Sequence, residues 1–234
     1  MKRTLIAAGM FALIAVTGRA EVTNNYTSGN LNQIIPNGDV FGISSTINAT
    51  EGGTFHIADV SLTLDVSGGY SGDLYAYLVH NNTLAVLLNR VGRMELDSFG
   101  YGDNGFKLTF TTQNGLDIGS DIHQYQAVGG WGSYLIAGQL TGTGIWAVDG
   151  RTTSPFSVVP GDSRTALLGS FVSNNELVSG DWTLVMADLV GGGDSASTLN
   201  SWSLAVAYEP VPEPASLALL TFGGLMLWRR LSRR

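Results

Sequence analysis

Apolar and polar residues alternate with a period of two through the middle of the chain. Residues 58–66 (ADVSLTLDV) put Val60, Leu62, Leu64 and Val66 on one face. Residues 73–80 (DLYAYLVH) put Leu74, Ala76 and Leu78 on one face and Tyr75, Tyr77 and Val79 on the other. A polar turn at Asn81-Asn82 leads into 84–88; residues 105–112 alternate through Phe106, Leu108 and Phe110, and 182–187 and 202–208 repeat the pattern. Alternation of this kind, broken by Gly, Asn and Asp turns, predicts an antiparallel sandwich or barrel. No βαβ rhythm and no repeat of fixed period interrupts it. Residues 21–30 (EVTNNYTSGN) read as a loose lead-in to the domain.

The two ends follow a different pattern. Residues 1–20 carry a basic start (Lys2, Arg3), an apolar run from Leu5 to Val16, and small residues at Gly18 and Ala20. That order predicts a secretory signal peptide cleaved between Ala20 and Glu21. At the other end, Val211-Pro212-Glu213-Pro214 is stiff and extended, because the prolines fix φ and disfavour helix before them. An uncharged apolar stretch, 215–228, predicts a short transmembrane helix, and Arg229, Arg230, Arg233 and Arg234 close the chain. Arginines flanking such a helix stay on the cytoplasmic side, which places residues 21–210 beyond the inner membrane.

Composition sharpens the picture. The chain has no cysteine, which excludes disulfides and thiolate metal sites. Residues 21–210 hold five Lys or Arg against eighteen Asp or Glu, a net of −13, whereas the other seven basic residues sit at the two ends. An acidic body argues against a nucleic-acid partner, because phosphate binding needs a basic face.

The C-terminal order of Val-Pro-Glu-Pro, apolar helix and arginine cluster resembles the PEP-CTERM sorting signal over roughly the last 24 residues. The resemblance implies recognition of Pro212, Glu213 and Pro214 by an exosortase, a membrane transpeptidase that cuts near this motif. It also implies a membrane-anchored intermediate, then a cell-surface or matrix location in a bacterium that makes exopolysaccharide.

Two internal segments resemble the P domain (P/Homo B) found beside subtilisin-like proprotein convertases. In residues 60–92 the matching positions are Tyr70, Gly72, Asp73, Leu74, Arg90 and Gly92. In residues 179–206 they are Gly180, Trp182, Leu184, Asp188, Gly193, Asp194, Trp202 and Leu204. The chain departs from the family at Gly68, where a His is common, and in a variant middle region over 129–155. No protease domain accompanies it. The resemblance implies a jelly-roll-like β-sandwich over residues 31–208, followed by the sorting tail over 209–234.

Candidate chemistry is sparse. Trp182 and Trp202 begin alternating strands and are expected to fill the core between sheets. Of the three histidines, His56, His80 and His123, the first two fit strand positions and are expected as satisfied structural residues; Ser71, Ser120 and Ser133 lie near glycines, yet no Gly-x-Ser-x-Gly elbow occurs. No catalytic residue is assigned. Calcium is the candidate cofactor, because hard cations collect oxygens from Asp, Asn and carbonyls in turns. Asp103-Asn104, Asp117 with Asp121, and Asp188 with Asp194 are candidate loops, with Asp73, Asp103, Asp188 and Asp194 as its candidate ligands, and solvated turn acids are the other reading of the same residues. The expected function is a non-enzymatic surface or matrix protein that meets polysaccharide or other surface proteins. The alternative is an accessory module for a subtilisin-like serine endopeptidase.

Overall fold

The run at 58–66 forms β4 (Ile57–Ser67), whose Val60, Leu62, Leu64 and Val66 are all buried while Ser61, Thr63 and Asp65 face outward. Period-two side chains on a pleated strand produce this division directly. The computed structural model describes residues 21–126, 145–192, 196–208 and 232. Around β4 it builds one sheet in the order β1 (Val22–Thr27), β12 (Thr198–Tyr208), β4, β7 (Phe106–Gln113), β10 (Ile145–Ala147), β9 (Ser120–Asp121). Two short strands attach to this path: β2 (Gln33–Ile34) on β12 and β8 (Leu116–Ile118) on β7. A second sheet runs β3 (Asp39–Ala49), β11 (Gly180–Asp188), β5 (Leu74–His80), β6 (Thr83–Asn89). One short helix, α1 (Ser170–Ser173), buries Phe171.

The inward faces of the two sheets make the core. Trp202, Leu204 and Val206 of β12 and Phe106, Leu108 and Phe110 of β7 join the β4 stripe; Leu74, Ala76, Leu78, Trp182, Leu184 and Met186 come from the second sheet. Both tryptophans are fully buried and find acceptors for their indole N–H. Trp182 Nε1 donates to Val178 O (3.2 Å), and Trp202 Nε1 donates across the sandwich to Ser45 Oγ (2.9 Å). His80 lies flat on Trp182 at 3.9 Å between ring centres, with Nδ1 against Asp181 O (3.0 Å). The tryptophans and His80 therefore hold the structural positions expected of them.

Two expectations need correction. Most pairings are antiparallel, but β10 runs parallel to both β7 and β9. Residues 122–144 lie between β9 and β10, enough chain for the crossover that a parallel pair needs. The loose lead-in is also wrong over most of its length: β1 pairs with β12 over six registered residues, from Val22↔Tyr208 to Thr27↔Ser203. Its sequence, VTNNYT, carries no apolar stripe; backbone bonds to β12 and side-chain bonds from Asn24 and Tyr26 to Glu51 hold it, none of which periodicity reveals. Among the described residues no helix is long and apolar enough to cross a membrane. The signal-like residues 1–20 and the tail 209–231 lie outside the described residues.

Candidate functional site

One end of the sandwich gathers residues from both segments that resemble the P domain. A single turn of 3-10 helix, Ser71–Asp73, precedes β5, and register places Leu74 opposite Asp188 at the end of β11. Asp73 and Asp188 thereby become neighbours, and Leu189 N donates to Asp73 O (2.9 Å). Arg90 enters from the end of β6. Its Nε donates to Gly72 O (3.0 Å), one Nη donates to Ser98 O (2.9 Å), and that same nitrogen lies 3.8 Å from Asp73 Oδ1. Burial pulls the Arg90 guanidinium below its ordinary value, and the charges of Asp73 and Asp188 work against that pull. Glycine is required here: a Cβ on Gly72 would lie 2.6 Å from Phe99 O, and one on Gly92 2.3 Å from the Tyr101 ring.

Above this buried charge group lies a cleft of about 300 Å³, lined by Tyr70, Asp73, Phe99, Gly102, Val190 and Gly192 among others. Phe99 is 71% exposed and Tyr70 42% exposed. A Cβ on Gly192 would meet nothing within 4 Å, and one on Gly102 only Tyr70 Cδ1 at 4.0 Å. Behind the cleft, Ser71 Oγ and Tyr125 OH are 3.0 Å apart, and Tyr125 OH donates to Asp103 Oδ2. Burial, and then the bond to Asp103, raise the Tyr125 phenol well above its usual value, so it stays a donor.

A second polar group sits inside the molecule. His123 Nδ1 is 2.7 Å from Asp149 Oδ2, and Nε2 is 3.0 Å from Arg93 O. A carbonyl can only accept, so Nε2 donates to Arg93 O. Arg151 lies beside them, with its Nη1 3.1 Å from Asp149 Oδ1 and its Nη2 2.6 Å from Asp121 Oδ2. The His–Asp pair has two of the parts of a hydrolytic triad, but the second ring nitrogen is taken by backbone and the ring is fully buried. Arg151 bridges two carboxylates here, donating to both Asp149 and Asp121, so this group has a structural role. Sequence reasoning missed it, because Asp121, His123, Asp149 and Arg151 follow no motif spacing.

The candidate calcium ligands divide. Asp73 and Asp188 come together, with Arg90 supplying positive charge between them. Asp103 turns away, its Oδ2 accepting from Tyr125 and from Gln126 Nε2 (2.6 Å). Asp194 lies outside the described residues. Among the described residues no three His, Asp or Glu side chains are grouped so as to hold a metal ion. Of the candidate processing residues only Glu21 is described, and it is exposed; Ala20, Val211, Pro212, Glu213, Pro214, Arg229, Arg230, Arg233 and Arg234 lie outside.

Comparison with known proteins adds little to this geometry. No protein-family model matches the chain, and no curated protein matches it. Among solved structures, the serine protease of Aeromonas sobria in complex with the chaperone ORF2 is similar at 15% identity and a TM-score of 0.42. The same protease alone gives 15% and 0.41. Both matches cover 83% of this chain but only 28% of the protease chain. FlhE is similar at 10% identity and a TM-score of 0.36, over 81% of this chain and 98% of its own. Likenesses this distant assign neither a family nor an activity to the chain.

Proposed function

We propose that this protein is an exported, non-enzymatic β-sandwich of the bacterial cell surface or extracellular matrix, sorted by an exosortase-type membrane transpeptidase. We read the non-consecutive strand order in both sheets as jelly-roll-like. A signal peptide over 1–20 and a transmembrane sorting helix over 215–228 flank this body. The observation that carries the reading is the Val211–Pro214 motif, followed by its apolar run and arginine cluster. Its position supports the reading: β12 ends at Tyr208, just ahead of the motif, so cleavage there spares every strand of the body. The body meets polysaccharide or other surface proteins through its loops.

Mass spectrometry of both termini of the extracellular protein tests this function. New ends near Glu21 and Pro214 are expected. An intact Arg234 in the released protein overturns it. A subtilisin-like endopeptidase that co-purifies with the protein, and loses stability when the protein is deleted, points instead to the accessory role.

A further inference from the structure

We propose that the cleft bounded by Tyr70, Phe99 and the 190–192 loop takes a sugar unit of a neutral polysaccharide. The proposal rests on the surface-protein reading above and gives that reading a ligand site. Three features of the cleft select the ligand.

The first is its aromatic walls. Tyr70 and Phe99 are both exposed and both line one hollow of about 300 Å³, the lower end of the ~300–1,000 Å³ typical of small-molecule sites. The C–H faces of a pyranose pack on such rings as other apolar surface does, and the ring quadrupole favours the slightly positive hydrogens. The second is the glycine content of the other walls. Gly102 and Gly192 have open space where a side chain would stand, so a ligand reaches main-chain N–H and C=O groups there. Those groups, with the Asp73 carboxylate at the base, match the mixed donor and acceptor character of sugar hydroxyls.

The third feature is charge. Arg90 lies 3.8 Å from Asp73 beneath the cleft, and no Lys or Arg is among the described residues that line it. An anionic polymer would find no exposed cation among the described lining residues and would approach a body of net charge −13. A cationic one would find a carboxylate whose charge is already matched by a guanidinium. A neutral, hydroxyl-rich ligand fits both constraints.

Affinity electrophoresis of the full chain in mild detergent, through gels holding amylose, β-1,3-glucan, galactomannan or alginate, tests the proposal. At least one neutral polymer is expected to retard the protein, and alginate is not. The paired change Tyr70→Ala with Phe99→Ala is expected to weaken that retardation at least tenfold. Gly102→Leu should do the same by filling the hollow, since an added Cβ there meets only Tyr70 Cδ1 and no positive φ opposes it. Phe41→Ala serves as control: Phe41 is 86% exposed but does not line the cleft, so its loss should change nothing. Circular dichroism confirms that each variant is folded. Retardation by alginate alone, by none of the neutral polymers, or unaltered in both cleft variants overturns the site. Equal loss in Phe41→Ala also overturns it, by revealing general adhesion of exposed aromatics. Failure here with the expected termini at Glu21 and Pro214 removes the sugar site but leaves the sorting reading standing.

Discussion

Asp121 shows how single side chains set this protein's response to acid. Burial acts to raise its carboxyl. The hydrogen bond from Arg151, the charges of Arg151 and Arg164, and the amide of His123 outweigh burial and hold it below the usual carboxylate range. A depressed folded value contributes stability that is complete above the unfolded value of about 3.9 and is lost as pH falls through the folded value. Asp121→Asn is therefore expected to cost about 1–3 kcal/mol near neutrality, with the gap from the parent closing below about pH 4, measured by urea unfolding across pH. Asp117 has the opposite sign. Burial raises it despite hydrogen bonds from Gly169 and Leu168, so its protonation favours the fold as pH falls, and Asp117→Asn should steepen the loss in acid. Asp149→Ala leaves His123 and Arg151 buried without their shared carboxylate, and a cost of about 3–5 kcal/mol is expected in the same assay. None of this group was legible in the sequence. Trp182 was: its place at the start of an alternating strand marked it as core, and truncation to Ala should cost about 3–5 kcal/mol.

Strands were legible where one face is apolar and the other is wet. β4, β5, β7, β11 and β12 meet that condition, and their alternation predicts them. In β3 a register shift conceals it. Asp39 faces Asp188 and Ile43 faces Met186, so Val40, Phe41 and Gly42 oppose the single residue Ala187. The two extra residues bulge out of the ladder and leave Phe41 in solvent. Gly42 makes the bulge possible: its φ is +58°, and a Cβ would lie 2.0 Å from Met186 O. Gly42→Val should break the β3–β11 register and cost roughly 3 kcal/mol or more, seen as a lowered denaturation midpoint. Gly52, with nothing within 4 Å of its added Cβ and no positive φ, is the contrast; Gly52→Ala should raise stability by about 0.4–1 kcal/mol. The cleft was legible only in part. Tyr70, Asp73, Arg90 and Asp188 stood out through the family resemblance, whereas Phe99 and Gly102 reach it through loop packing that follows no period.

At the scale of the whole molecule, a body with a net charge of −13 repels itself, and the few cations are already engaged: Arg90, Arg93, Arg151 and Arg164 all donate to backbone or carboxylate oxygens. Salt screens the remaining repulsion, with a Debye length that shrinks from about 30 Å at 0.01 M to about 10 Å at 0.1 M. Raising sodium chloride over that range should raise the melting temperature, and a fall would mean that the ion pairs outweigh the repulsion. The pairing of β1 with β12 bears on mechanics. Tyr208, the last strand residue, belongs to a strand flanked by β1 on one side and β4 on the other. A pull applied along the chain there would load two ladders of bonds in shear, all at once, rather than peeling them open one by one.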